Sequence, residues 1–283
     1  MSEFSIKAII NGVVYTKDQL NKYEYERTIH TLHELLDLGV EIKDGGKVLT
    51  HEDINWLDFE KAHAINVQTR SDMTDEEIEA VYKERSNNTQ KHWAEWNAVP
   101  IAQQGYQTCT CEFEVEGMGI PSMGGKGQKS AKEQPSSTMM TAARRMKYEV
   151  YPEHLITGRS TAGKGKGSME VVGMFGEPVL LVAGKVVRGV PEYVPYQADP
   201  AYPIVSTVEL SFEDGTPTNM GVTHMFQPAA DGNGFKQRSV LYTPANAPRM
   251  MMIGHQVHFA IEMTNDYTMA YKRLQAAKQA KAE

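Results

Sequence analysis

Residues 237–271 have the sequence QRSVLYTPANAPRMMMIGHQVHFAIEMTNDYTMAY, and the spacing of the apolar side chains changes within this stretch. The segment QRSVLYTP contains β-branched and aromatic residues and ends at a proline turn, which is typical of a strand. After Pro248 apolar residues recur with helical spacing, as Phe259, Met263 and Tyr267 show. The stretch therefore predicts a strand followed by a long terminal helix.

Six more segments with strand character precede this stretch, from about residue 105 onward, and glycine, proline and aspartate turns separate them. The segments are CTCEFEVEG, EVYPEHLIT, MEVVGMF, VLLVAGKVV, IVSTVELSFEDG and GVTHMFQP. Short connections favour antiparallel neighbours. The carboxy-terminal part therefore predicts an antiparallel sheet of seven strands closed by one long helix.

The first hundred residues have mainly helical periodicity. Asn-Gly at positions 11–12 predicts a short β-hairpin. Thr16, Thr50 and Thr74 each precede apolar residues at helical spacing, and the helix from Thr50 is expected to continue through Ala62. The predicted fold class is α+β, with two domains.

The predicted domains are a mainly helical one over residues 1–100 and a sheet domain over residues 101–283.

The formal net charge of −7 argues against nucleic-acid binding, which normally requires a basic face. No apolar run approaches the length of a membrane span, and the start lacks a signal-peptide core. We therefore expect a cytoplasmic protein with no nucleic-acid and no membrane partner.

The two cysteines, Cys109 and Cys111, are separated by one residue in a predicted strand. Side chains two positions apart in a strand lie on the same face, and a disulfide between them would be strained. We therefore expect reduced thiols. A metal-binding pair of thiolates is the alternative interpretation.

The stretch GRSTAGKGKGSMEV at residues 158–171 is close to a phosphate-binding loop. Gly158, Gly163 and Lys164 fit the pattern, but Gly165 occupies the position of the Ser or Thr that would bind Mg²⁺. Such a loop also needs a helix directly after it, whereas MEVVGMF has the β-branched residues of a strand. We interpret the run as the loop of a hairpin, and nucleotide binding is the alternative.

The terminal helix carries a candidate metal-binding pair. GHQVHFAIEMTND places His255, His258 and Glu262 on one helix face. His258 and Glu262 are one turn apart, and an imidazole and a carboxylate at that spacing can converge on one metal ion. Simple placement on a helix surface would produce the same spacing.

A second histidine and carboxylate pair is predicted in the sheet. If the strands around the glycine-rich loop pair with Thr157 opposite Gly167, His154 lies directly opposite Glu170. A curved sheet packed on the helix would bring both pairs together as a site of two histidines and two glutamates. These ligands suit zinc, and Mn²⁺ or Fe²⁺ would also accept them. The alternative is an ordinary polar pair between strands.

Three motifs occur together in the carboxy-terminal half: YPEH, GVTHMF followed by a glycine-containing turn and QRSVLY, and above all HFAIEMTND. Together they resemble the family of 2,4-diacetylphloroglucinol and phloretin hydrolases, over roughly residues 145–275. The resemblance implies a Bet v1-like domain, in which a curved antiparallel sheet wraps around the long carboxy-terminal helix. It also implies a homodimer.

The resemblance further implies a zinc-dependent hydrolase that cleaves a carbon–carbon bond between a polyhydroxylated aromatic ring and an acyl group in a small phenolic ketone. The implied metal ligands are His154, Glu170, His258 and Glu262. The loop between the first two ligands is shorter here than in the family, which makes Glu177 in FGEP a rival to Glu170.

Further residues are implied around the substrate. His224, in GVTHMF, is the expected acid or base, because an imidazole accepts and donates protons near pH 7. Tyr242 is expected to assist catalysis. Tyr148, Tyr151 and His255 are expected to bind the substrate.

Two other functions are alternatives. A non-enzymatic Bet v1-like carrier would enclose an apolar or phenolic ligand between sheet and helix, with the histidines as packing residues. A metal-dependent lyase, isomerase or decarboxylase would act on a related phenolic ketone at the same metal site. Stoichiometric metal would count against the carrier, and substrate screening would separate the enzymes.

Overall fold

The computed structural model describes residues 3–121, 145–160, 168–174, 177–212 and 216–280, and for residues 156–186 it describes the backbone alone. The strands are β1 (Ser5–Ile10), β2 (Val13–Tyr15), β3 (Lys43–Asp44), β4 (Lys47–Val48), β5 (Tyr106–Glu116), β6 (His154–Ser160), β7 (Ser168–Met174), β8 (Glu177–Arg188), β9 (Ile204–Ser211), β10 (Pro217–Pro228) and β11 (Gly234–Pro244). The helices are α1 (Lys17–Asp37), α2 (His51–Asn55), α3 (Phe59–Asp72), α4 (Asp75–Trp96), α5 (Ile101–Gln104) and α6 (Arg249–Gln279).

Nine of the strands form one antiparallel sheet in the order β2-β1-β5-β11-β10-β9-β8-β7-β6, and β3 pairs with β4 separately. The seven strands predicted after residue 105 are confirmed as β5 to β11. The glycine-rich run joins β6 to β7, so a strand follows it, as predicted, although residues 161–167 lie outside the described residues. One antiparallel sheet and a long terminal helix confirm the α+β class.

The predicted hairpin at the start of the chain is confirmed. Asn11 and Gly12 have positive φ angles of 52° and 79°, as a type I′ turn requires. β1 pairs with β5, for example Ala8 with Phe113, so this hairpin extends the main sheet. The boundary at residue 100 stays a prediction, and the sheet contains strands from both sides of it.

Side-chain caps determine where the amino-terminal helices begin. α1, α2 and α4 each start with a threonine capping box, in which side chain and backbone satisfy each other's free groups. The single helix predicted from Thr50 through Ala62 is wrong, because Asp58 starts a new helix by accepting a hydrogen bond from the backbone nitrogen of Lys61 at 2.8 Å. No helix in the described ranges has the length and apolar character required to cross a membrane.

The main apolar core lies between α6 and the face of the sheet turned toward it. Phe113 of β5 packs against Phe259 and Tyr267 of α6, with ring centroids 6.2 and 6.3 Å apart. Cys109 and Cys111 point into the same core as buried free thiols, which confirms that they share one face. α6 also contacts α1 and β7. Glu262, on one face of α6, meets His154 at the beginning of β6.

Candidate metal centre

α6 supplies two side chains of a buried polar group. His258 and Glu262 are 8% and 6% exposed. Nε2 of His258 lies 2.5 Å from Oε1 of Glu262. Residues four positions apart stack on one helix face, so local geometry alone brings this pair together.

His154, the first residue of β6, is the third member of the group. Its Nε2 lies 2.6 Å from Oε1 of Glu262 and 3.1 Å from Nε2 of His258. The two imidazole rings stack with centroids 5.2 Å apart and planes inclined by 11°. Two nitrogens and one oxygen thus form a compact triangle.

His154, His258 and Glu262 could together hold a metal ion. Imidazole nitrogen and carboxylate oxygen are the ligands that zinc and similar divalent ions accept. Oε1 of Glu262 is buried, and within the described part of the chain it accepts no hydrogen bond of good geometry, although two nitrogens lie close to it. A cation among the three atoms would satisfy this oxygen.

Arg70 of α3 positions the segment that leads into β6. Its buried guanidinium donates hydrogen bonds to the backbone oxygens of Tyr148 at 2.9 Å, Tyr151 at 2.5 Å and His154 at 2.9 Å. Its carbon Cζ lies 4.6 Å from the ring centroid of Tyr148. Burial lowers the pKa of Arg70 to about 10, which leaves it charged at neutral pH. A residue on α3 therefore fixes where His154 enters the group.

Glu153, which sequence reasoning did not identify, orients His258. Its Oε2 accepts a hydrogen bond from Nδ1 of His258 at 3.0 Å, and its Oε1 forms an ion pair with Arg27 of α1. Because Nδ1 faces Glu153, Nε2 is the ring nitrogen that is directed toward Glu262. Carboxylates orient many metal-binding imidazoles in this way. An acid next to a histidine in YPEH was the available signal, but it is too common to be specific.

Charges within the group shift the pKa values of its members. Burial alone would raise the pKa of Glu262, but His258 and His154 hold it well below its usual range. Burial lowers the pKa of His258, and the carboxylates of Glu262 and Glu153 outweigh burial and raise it. Burial raises the pKa of Glu153, and His258 and Arg27 bring it below its usual value. Both acids are therefore ionised, which favours a cation nearby.

The pairing predicted between His154 and Glu170 is wrong. His154 pairs with Val172, and Glu170 pairs with Ile156. The assumed starting pair, Thr157 with Gly167, is not formed, because β6 continues to Ser160, which pairs with Ser168. The register then changes once between Ser160 and Ile156. The side chains of Glu170 and Glu177 lie outside the described residues, so their roles as ligands stay predictions.

His255 lies one turn before His258 and makes a separate contact. Its Nδ1 donates to the backbone oxygen of Met251 at 2.8 Å, and its ring centroid lies 6.2 Å from that of His258. Burial lowers the pKa of His255 to about 4, so it is neutral at pH 7. Its predicted contact with substrate stays a prediction.

His224 lies on β10, on the sheet face that meets α6. Its ring stacks on Phe259 at 5.5 Å between centroids. The amide nitrogen of Gln237 donates to Nδ1 of His224 at 3.1 Å, and Ser239 lies 3.0 Å from the same nitrogen. Tyr267 donates to the amide oxygen of Gln237, which fixes the orientation of that amide. Burial lowers the pKa of His224 to about 4.

The three predicted tyrosines occupy three environments. Tyr151 stacks on His154, with ring centroids 4.7 Å apart and planes inclined by 22°. Tyr148 is buried beneath Arg70. Tyr242 pairs with Gly221 and packs against Tyr106, on the sheet face turned away from α6. The structure therefore does not bring Tyr242 to the metal group, because alternate residues of a strand point to opposite faces.

Comparison of the chain with models of known protein families, with curated proteins and with solved structures finds no match. The grounds for a function are therefore the geometry of the buried group and the motifs quoted from the sequence.

Proposed function

We propose that the protein is a metal-dependent hydrolase that cleaves the carbon–carbon bond between a polyhydroxylated aromatic ring and an acyl group. The observation that carries the proposal is the buried convergence of His154, His258 and Glu262. The resemblance of YPEH, GVTHMF and HFAIEMTND to acylphloroglucinol hydrolases supports this reaction over other metal-dependent ones. A Bet v1-like sheet and a homodimer are part of the same proposal.

Zinc is the proposed cofactor, and Mn²⁺ or Fe²⁺ would accept the same ligands. Two histidines and one glutamate, with a position left for water or substrate, are a ligand set found in catalytic zinc sites. When bound, such an ion polarises a carbonyl group and lowers the pKa of water. Glu170 or Glu177 is proposed as a fourth protein ligand.

Residues of the chain would place a phenolic ketone beside this group. Tyr151 is partly exposed next to His154, and its ring offers a stacking surface for an aromatic substrate. Glu153 and Arg27 would hold His258 in one orientation while the substrate binds. His255 would line the same side of α6.

Hydrolysis of the ring–acyl bond releases the acyl group as a carboxylic acid, and the ring carbon gains a proton. His224 is the proposed proton-handling residue. Because its pKa is lowered to about 4, it is neutral at pH 7, which favours a base or a hydrogen-bond donor over an acid. The hydrogen bond from Gln237 to Nδ1 places the proton of the neutral ring on Nε2.

Metal analysis of untagged protein purified without chelator tests the proposal. We expect one ion of zinc, manganese or iron per chain that is present in the wild type and lost in Glu262→Gln, because the carboxylate shared by both histidines becomes a neutral amide. Glu114→Gln is the matched control, since that carboxylate pairs with Lys236 on the outer face of the sheet. Wild-type protein with no metal, even after reconstitution, would overturn the proposal and favour the carrier.

Turnover is the second part of the test. Acylphloroglucinols and phloretin-type ketones should yield the free ring and a carboxylic acid, and His224→Gln should retain the metal while losing most turnover. Metal-loaded protein that converts such ketones without releasing a carboxylic acid would instead indicate a lyase or an isomerase.

A further inference from the structure

A second pair of histidines lies on the surface, between α1 and α2. His33 is half-buried on α1, and His51 is the first residue of α2. Their Nδ1 atoms lie 2.7 Å apart, and the two rings stack with centroids 5.0 Å apart and planes inclined by 16°. None of the residues in the buried metal group takes part in this arrangement.

The other ring nitrogen of each histidine faces an oxygen. Nε2 of His33 lies 2.9 Å from Oδ1 of Asn55, and Nε2 of His51 lies 3.2 Å from Oδ1 of Asp37. The amide oxygen of Asn55 accepts a hydrogen bond, so Nε2 of His33 is the donor. The nearby carboxylate of Asp37 favours a proton on Nε2 of His51. In neutral rings the two Nδ1 atoms then carry lone pairs that face each other.

Two lone pairs at this separation repel each other unless a positive charge lies between them. We propose that His33 and His51 form a surface site for a divalent transition-metal ion, bound through both Nδ1 atoms. Imidazole pairs select ions of the Zn²⁺, Ni²⁺ and Cu²⁺ type over Mg²⁺ or Ca²⁺, which prefer oxygen ligands. The side chain of His51 is 50% exposed, so water can complete the coordination.

Asp37 and Asn55 give the site the outer contacts that metal-binding histidines usually have. Asn55 accepts a hydrogen bond from the ring nitrogen of His33 that does not bind the metal, and Asp37 forms an ion pair with the corresponding nitrogen of His51. Both contacts favour the tautomer in which Nδ1 is free to bind the metal. Thr50 fixes the start of α2 through its capping box, and so it sets the position of His51. Because the two histidines come from different helices, a bound ion would join α1 to α2.

Calorimetric titration of the full-length chain carrying both His258→Gln and Glu262→Gln, which leaves His154 as the single remaining ligand of the buried group, isolates the surface site. We expect stoichiometric binding of Zn²⁺, Ni²⁺ and Cu²⁺, with Cu²⁺ bound most tightly, and no binding of Mg²⁺. His51→Gln should abolish this binding, and Asp37→Asn should weaken it about tenfold. The control is His30→Gln, an exposed histidine one turn earlier on α1, which should leave the affinity unchanged.

Binding that survives His51→Gln, in protein with the wild-type circular dichroism spectrum, would overturn the inference. The alternative to a metal ion between the two Nδ1 atoms is a proton that the two rings share, and nitrogen NMR of the imidazoles tests it. An imidazolium signal at pH 7 that added Zn²⁺ does not displace would also overturn it. If the double variant does not fold, wild-type protein should lose one of two bound ions on His51→Gln. A negative result for His33 and His51 does not count against the proposed hydrolase, since that proposal depends on Glu262.

Discussion

The buried group of His154, His258 and Glu262 and the surface pair of His33 and His51 use the same chemistry but are held in place differently. The buried group depends on α1, α3 and α6 and on the residues before β6. The surface pair depends on two consecutive helices and is open to water. Burial makes the geometry of a site a property of the whole fold, whereas the geometry of an exposed site depends on local structure.

Arg70→Ala should have the largest effect, a loss of stability together with damage to the buried group of His154, His258 and Glu262. Three backbone oxygens would lose a buried charged donor, and we expect a loss of about 4 kcal/mol in the free energy of unfolding. Metal binding at the buried group should fall with it, while the surface pair remains. Urea unfolding and metal titration measure both effects. Arg145→Ala, on the surface beside Glu149, should change the stability by less than about 0.5 kcal/mol.

A lower pH should also destabilise the fold through the buried residue His224. The pKa of His224 is about 4 in the folded protein and 6.5 without the fold, so the unfolded chain binds a proton more readily between these values. Lowering the pH from 6.5 to 4 should therefore reduce the free energy of unfolding, by up to about 3 kcal/mol for this residue. The decrease in the free energy of unfolding between pH 6.5 and pH 4 should be smaller in His224→Gln than in the wild type. Equal pH dependence in the two proteins, measured by urea unfolding, would contradict the assignment.

Glu153→Gln should weaken the buried site without removing a ligand. The loss of the carboxylate that orients His258 should lower metal affinity about tenfold or more. Competition with a chelator of known affinity measures the change. Glu149→Gln, a partly exposed carboxylate in the same segment, should have no such effect. An equal loss in both variants would indicate a general effect of charge.

Thr50→Ala should act on the surface side alone, and its effect should be the smallest. Removing the cap of α2 should cost about 1 kcal/mol and loosen the position of His51. Metal affinity at the surface pair should decrease, and affinity at the buried group should not. Thermal unfolding and two-site titration provide the measurements. A decrease at the buried group would show that the two sites are coupled.

Local signals were sufficient for much of the fold. The turn at residues 11–12, the capping residues and the seven carboxy-terminal strands follow from short-range chemistry, and each is present. The spacing of His258 and Glu262 likewise placed them together, because a helix has a fixed period. Where a break depended on one capping residue, as at Asp58, the predicted helix was too long.

The rest of the site depends on contacts between residues far apart in the sequence. Glu153 forms an ion pair with Arg27, and Arg70 donates hydrogen bonds to the backbone at the start of β6. No local sequence pattern predicts either contact. The hairpin of β6 and β7 begins at Ser160 and Ser168, which no local pattern in the glycine-rich run indicates, so Glu170 pairs with Ile156 and not with His154. The position of Tyr242 required knowing which face of β11 meets α6, which a strand pattern alone does not give.

The pairing of β5 with β11 determines how late in synthesis the chain can reach this fold. Cys111 pairs with Ser239, so the centre of the sheet joins segments that are synthesised far apart in time. Contacts of such long range are formed slowly and require a large loop to close first. Until α6 emerges from the ribosome, Phe113 of β5 lacks the two aromatic rings of α6 against which it packs. Nascent chains at this stage would expose an apolar surface of the kind that chaperones bind. The buried group of His154, His258 and Glu262 would be among the last features to assemble, because two of its members lie on α6.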